Sequence, residues 1–436
     1  MNHATPRRIA LVSLIGLGVI GAIAIGRPGS ASGAEGRTLH VPADFARAED
    51  AIAASNPGDV ILLAPGTYPG DLEIPQDKPG ITIRGVDRNT VVFDGSDVRH
   101  NAIDVSADGV TLENMTAHSY TENGFYWDGV DGYAGRYLTV WNVGLYGIYA
   151  IESQDGVIEQ SYVSGAADAA FYIGECNPCD AAVRNVTATL SAVGYSGTNA
   201  GGNLIVEDSR FTSNGVGILP NSFEVGLEPP PQRDATFRRN VVTGSGRVPT
   251  PRSTPLGGFH GIGIGIAGGV GNLVEDNVVE DSSRYGVAVF TAVDFAATWV
   301  PAGNRIVGNR IETSGTADLA LAAGSGAGNC FERNVAAVAL PADLGAACSS
   351  AGAGDSAVAA ELVLPPPAML EGLPAAPPYS TMPAPGAQPT MPVGGDTPAP
   401  ELVVPWLAAG AAAVIVVGIL AALLIRRRRA GGATSP

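Results

Sequence analysis

Apolar and polar positions alternate in short runs along most of this chain, and the runs recur. One phrase appears as "VTLENMT" (110–116), "LTVWNVG" (138–144), "GVIEQSYV" (156–163) and "AAVRNVT" (181–187). It continues as "LIVEDSRF" (204–211), "ATFRRNVV" (235–242), "LVEDNVV" (273–279), "RIVGNRI" (305–311) and "CFERNVA" (330–336). Its small polar residue falls at Asn114, Asn142, Ser161, Asn185, Ser209, Asn240, Asn277, Asn309 and Asn334, with steps of 28, 19, 24, 24, 31, 37, 32 and 25. A second phrase starts at Gly124, Gly147, Ala170, Gly194 and Gly217, with steps of 23, 23, 24 and 23. Period-two alternation over so few residues predicts short strands, and the glycines and asparagines between them supply turns.

Short strands repeating every twenty-odd residues predict an all-β solenoid, a right-handed parallel β-helix of about nine or more coils. A leucine-rich repeat is the alternative solenoid, and the leucine framework it needs is missing. Coils should stack about 4.8 Å apart, and an asparagine at a fixed place in each coil should bond to its copies above and below. Open solenoid ends expose strand edges and need caps. The stretch "PADFARAEDAIAASNPGDVILLAPGTY" (42–68) predicts a short capping helix and a buried strand, followed by the strands "GITIRG" and "TVVFDGS".

The opening "AIAASNPGDVILLAPGTY" followed by Asn-bearing coils resembles the pectate-lyase-like superfamily and its right-handed β-helix repeat proteins, over about residues 38–345. That resemblance implies the fold and leaves the function open among carbohydrate-active enzymes and a periplasmic copper-site maturation protein. The family's enzymes use a Ca²⁺ site with an arginine base, or Lys, Tyr and His combinations. Here Lys78 is the one lysine, and it falls in the cap. The polygalacturonase phrases are absent apart from a faint likeness in "FHGIGIG". Copper ligation would call for clustered His and Met, whereas His40, His100, His118, His260 and Met115 are scattered.

Stacking the second phrase puts Tyr126, Tyr149 and Tyr172 at one position, 23 residues apart. The apolar residue before each (Phe125, Ile148, Phe171) should point inward, which turns the tyrosines outward. Asp128, Glu152, Glu175, Asn199 and Asn221 or Ser222 should form a polar row beside them, with a one-residue bulge at Asp128. Such a face suits a glycan, because aromatic rings stack on sugar rings and carboxylates and amides bond hydroxyls. The expected carbohydrate-binding residues are Tyr126, Tyr149, Tyr172, Tyr195, Asn199, Asn221, Asp131 and Tyr133. Asp128, Glu152 and Glu175 are the candidate catalytic acids of a polysaccharide lyase or glycoside hydrolase. No cofactor is required, though clustered carboxylates permit Ca²⁺. The alternative is a non-catalytic structural or adhesive scaffold whose tyrosine ladder serves only stacking. Insertions at 223–234 and 246–260 should wall the face, with His260 placed to join it.

Charge and the termini set the compartment. A formal net charge of −17 excludes nucleic acid and anionic membrane surfaces as partners. Arg7 and Arg8 precede an apolar run at 9–25 and a small polar stretch, an export signal expected to be cleaved after Ala34, with an uncleaved anchor as the alternative. A second uncharged apolar run at 402–425, followed by Arg426–Arg429, predicts a single membrane-spanning helix and a cytoplasmic basic tail at 426–436. The expected organisation is a signal peptide at 1–34, a β-helix domain at 37–348 outside the cell, a Pro/Ala/Gly-rich solvated stalk at 349–401, and that anchor. In an exported chain the four cysteines should pair, as Cys176–Cys179 and Cys330–Cys348.

Overall fold

The computed structural model describes residues 36–224, 226–253, 259–294, 297–344, 354–356, 358 and 375–392. The two apolar terminal runs and Cys348 lie outside the described residues, and so do the signal peptide, the anchor and the expected Cys330–Cys348 bridge. Among the described residues no helix is long and apolar enough to cross a membrane.

The chain winds through three long parallel sheets in turn. Among the described residues sheet A has 12 strands, sheet B 10 and sheet C 11. One coil shows the order: Val110–Glu113 in sheet A, Thr116–Tyr120 in sheet B, Asn123–Asp128 in sheet C, then Asp131–Arg136 back in sheet A. The winding is right-handed, the hand that twisted strands favour in parallel crossovers. A helix at Ala48–Ala54 closes the N-terminal end, burying Ala48, Ala51 and Ile52.

Register is carried by side-chain columns. In sheet C, Phe125, Ile148, Phe171, Tyr195, Ile218, Ile264 and Val287 lie one above another, all at 0% exposure. On the outer face of sheet A the column alternates in charge: Arg84, Glu113, Arg136, Glu159, Arg184, Glu207, Arg238 and Glu275. Glu159 accepts from Arg136 Nε and Arg184 Nε, each at 2.8 Å, and so ties three coils together. Sliding one strand by a full coil would set like charges opposite each other.

The asparagine column exists, but its membership differs from the expected one. Asn240, Asn277, Asn309 and Asn334 form it, each side-chain N–H donating to the next Oδ1 at 2.9–3.1 Å. Ser161 and Ser209 extend it by accepting backbone N–H groups of Leu138 and Val186. Asn114 and Asn185 sit one residue earlier, at a corner that needs positive φ (63° and 53°). Asn142 is in a different strand, Thr139–Val143 of sheet B, opposite Gly165. The uneven steps of 28 and 19 arose from that misplacement.

Part of the expected stalk is not solvated spacer. Residues 375–390 are extended apart from a single helical turn at Tyr379–Thr381, and they lie on the β-helix: Asn142 Nδ2 donates to Met382 O at 3.1 Å and Arg88 Nη1 to Pro389 O at 2.7 Å.

The charge column makes a quantitative demand. Glu159→Arg places three arginines in a row and should cost about 2 kcal/mol, part of it recovered in about 1 M salt. Glu159→Gln should cost less and respond little to salt. Urea denaturation at two salt concentrations measures both.

Candidate functional site

Sheet C has an open half and a closed half. Its outward column reads Glu73, Asp104, Tyr126, Tyr149, Tyr172, Ser196, Leu219, Gly265, Ala288 and Ala320. From Glu73 to Tyr149 these side chains meet solvent, and strands alternate buried with accessible positions. From Tyr172 onward both faces are buried. Phe223, Phe259 and Trp299, carried by insertions between coils, pack over Leu219, Ala288 and Ala320 as a second hydrophobic cluster. The predicted insertions therefore do wall the face, and a hairpin pairing Ala292–Asp294 with Ala297–Trp299 adds to them.

The open half is a short aromatic platform. Tyr126 and Tyr149 stack with ring centroids 4.7 Å apart, and Tyr146 lies nearly parallel on Tyr149 at 4.3 Å. Tyr172, at 4% exposure, meets Tyr149 edge-on at 4.9 Å and forms the back of the platform. Carboxylates surround it. Burial pushes Asp104 up to about 6, helped by repulsion from Asp128, Glu73 and Glu122. The Tyr126 phenol is raised by burial and then by Asp128 beside it. Asp168 is buried next to Tyr146; burial lifts it to about 6, and Ser253 Oγ donates to its Oδ2 at 3.1 Å.

Beside the platform, at the corner from sheet C to sheet A, lies a groove of about 440 Å³ lined by Asp108, Asp131, Glu152, Glu175 and Glu228. The corner repeats a left-handed residue in successive coils: Gly129 (φ 63°), Glu152 (51°), Glu175 (55°) and Asn199 (51°). Glu152 and Glu175 therefore project from equivalent positions of adjacent coils. No bulge occurs at Asp128, which is aligned with Ile151 and Gly174, one position before this corner. Asn221 is likewise aligned with Thr198, not with Asn199.

Glu175 is nearly covered, at 4% exposure. Asn199 Nδ2 donates to its Oε1 at 3.3 Å and Glu228 N to its Oε2 at 3.2 Å, while Gly226 passes directly over the carboxyl. Burial raises its pKa to about 7 against the lowering effect of those two bonds. The next residue opens the Cys176–Cys179 bridge, whose sulfurs are buried and which closes the turn after Glu175.

Several expected binding residues face elsewhere. Tyr195 is in the core column at 0% exposure, because it occupies the inward position of its strand, level with Phe171. Tyr133 is also interior, packed on Trp127 with centroids 5.7 Å apart. Asn199 and Asn221 are fully buried: the first holds the insertion through Phe223 O and Glu228 O, the second bonds Ser196 and Thr198. Asp131 is exposed and lines the groove. His260 is buried, and burial with Arg252 and Arg284 nearby lowers it to about 4, so it is a neutral wall residue. Among the described residues no three His, Cys, Asp or Glu side chains converge to hold a metal ion.

Sequence reasoning missed Asp104, Tyr146 and Asp168. Asp104 was within reach, since "NAIDV" (101–105) is one coil before "NGFYW" (123–127) and sets Asp104 level with Tyr126. Tyr146 and Asp168 sit just before their strands, where a strand alignment assigns no direction.

The raised pKa of Glu175 predicts a pH dependence. The folded state holds this proton more tightly than the unfolded chain, so its stabilisation is full below about 4.5 and lost as pH rises through 7. Glu175→Gln should therefore melt higher than the wild type at pH 8 and together with it at pH 4. Thermal melts at the two pH values decide this.

No curated protein matches the chain. Among solved structures, the A-module of mannuronan C-5 epimerase AlgE6 from Azotobacter vinelandii is 12% identical, covering 67% of this chain and 86% of that one, with a TM-score of 0.41. The alginate lyase of Paenibacillus sp. str. FPU-7 is 16% identical over 62% of this chain and 94% of its own, at 0.45. An exopolygalacturonase from Thermotoga maritima is 8% identical over 68% and 86%, at 0.46. Residues 123–311 match the family model described as a right handed beta helix region, and the chain is a right-handed parallel β-helix protein.

Proposed function

We propose that this protein binds a neutral or cationic polysaccharide across the open half of sheet C, outside the cell. The observation that carries the reading is the stacked pair Tyr126–Tyr149, extended by Tyr146 and bordered by carboxylates. The stacked rings offer an apolar aromatic edge with phenolic tips against which a sugar can pack, and the surrounding carboxylates accept from its hydroxyls. The same carboxylates set the charge preference. Asp104 is raised by burial first and then by Asp128, Glu73 and Glu122 close by, and a polyanionic chain would meet repulsion from this group of four carboxylates. An amino-sugar polymer would be attracted.

Cleavage is the second reading, favoured by Glu152 and Glu175. They occupy equivalent positions of adjacent coils and line one groove, a pairing of carboxylates that acid–base cleavage can use. A carboxyl poised near pH 7 suits a general acid.

Titration of the full chain with cellohexaose, a chitosan hexamer and hexagalacturonate tests the proposal. The neutral or the cationic oligomer should bind and the anionic one should not. Tyr149→Ala should weaken binding by about 1–2 kcal/mol, the worth of a lost aromatic stacking partner. Preference for hexagalacturonate, or affinity unchanged in Tyr149→Ala, contradicts it. For cleavage, Glu152→Gln and Glu175→Gln should each abolish product formation while retaining affinity.

A further inference from the structure

The segment from Ala375 to Thr390 has five prolines and the composition of a free spacer, yet it is seated on the β-helix in a regular way. Tyr379, Met382, Pro385 and Gln388 are half-buried, and the residues between them are exposed. After the single turn at Tyr379–Thr381, the spacing of three from Met382 to Gln388 is the period of a polyproline II helix, which turns one face in three towards its support. The support is built for a backbone that cannot satisfy its own polar groups. Asn89 grips Gln388 at both ends, donating from Nδ2 to its carbonyl at 2.9 Å and accepting its N–H at 2.8 Å. Arg88 donates to Pro389 O, Asn142 to Met382 O, and Thr390 Oγ1 donates to Asn114 Oδ1 at 2.8 Å.

The coils themselves carry the matching features. Arg88 is 2% exposed and spans three coils, with its other donors on Leu138 O, Gln160 O and Thr139 Oγ1. Gly165 is where Met382 seats: a Cβ there would come within 2.8 Å of the Met382 Cβ. The single-turn helix Tyr379–Thr381 packs on the strands Thr139–Val143 and Tyr162–Ala166.

We propose that the outer edge of sheet B is a polyproline II groove whose resident ligand is the chain's own segment 375–390, docked as a strap. The strap runs against the direction of coil growth. The last sheet C strand, Ala339–Leu340, ends the stack at its C-terminal end, whereas Gln388 is held beside Asn89 near the N-terminal cap. Docking therefore removes most of the spacer from use. An undocked segment 349–401 has 53 residues and an extended reach of about 160 Å, and beyond Thr390 only 11 residues (391–401) remain, about 34 Å. A docked strap thus shortens the free tether between the β-helix and the apolar run at 402–425. This inference is independent of what sheet C binds.

The test uses the full chain in detergent, with nitroxide labels on Val98→Cys and Ala387→Cys, both exposed positions. A docked strap gives one narrow distance that persists on tenfold dilution with unlabelled chain. Two changes confined to the strap leave the coils untouched: Gln388→Pro removes the N–H held by Asn89, and Met382→Asp puts a charge at Gly165. Each should turn the narrow distance into a broad distribution. A broad distribution in the parent protein overturns the proposal, and so does a narrow distance that disappears on dilution, which would mean that the strap comes from another molecule.

Discussion

Everything in this molecule depends on neighbouring coils meeting in one register, and the strongest constraint on that register is the alternating charge column on sheet A. Backbone pairing in a parallel sheet is indifferent to which coil lies next to which. Eight residues from Arg84 to Glu275 alternate Arg and Glu through eight successive strands, so a coil that slips meets its own sign. The asparagine column in the later coils adds a directional lock, each amide donating to one neighbour and accepting from the other. Interior stacking of Phe125, Ile148 and Phe171 supplies area but tolerates exchange, whereas charge sign and amide direction do not.

With register held, the outer face of sheet C becomes a fixed array, and the insertions decide which part of it is available. Coils up to Tyr149 have short corners and leave their outward residues open. Later coils have long corners, and their phenylalanines and Trp299 cover the same column. The platform is thus bounded at one end by Tyr172 and by the loop that Glu175 and Asn199 hold down. The glutamate beside the disulfide serves this boundary as directly as it lines the groove.

The coil phrase, the capping helix and the outward turn of Tyr126 and Tyr149 were legible because strand alternation has period two and the coils repeat at 23. The same rule placed Tyr195 inward, level with Phe171, and treating it as a ligand residue ignored that position. Asn142 was misassigned because "WNVG" in sheet B mimics the sheet A phrase, and only pairing distinguishes them. Burial of Asn199 depends on an insertion more than twenty residues later, which no local pattern encodes. The charge column was in plain view at or next to the last residue of eight sheet A strands. The docking of 375–390 was hidden because Pro-rich composition describes an unsupported chain and says nothing of a groove elsewhere that fits it.

Amide hydrogen exchange on the full chain, with and without a saturating neutral or cationic oligosaccharide, tests most directly that the open half of sheet C is the binding face. The account predicts added protection in the strands Asn101–Val105, Asn123–Asp128 and Ile148–Ile151, with the walled strands Tyr285–Phe290 and Ala317–Leu321 unchanged. Protection confined to sheet A, to sheet B or to those walled strands would contradict it.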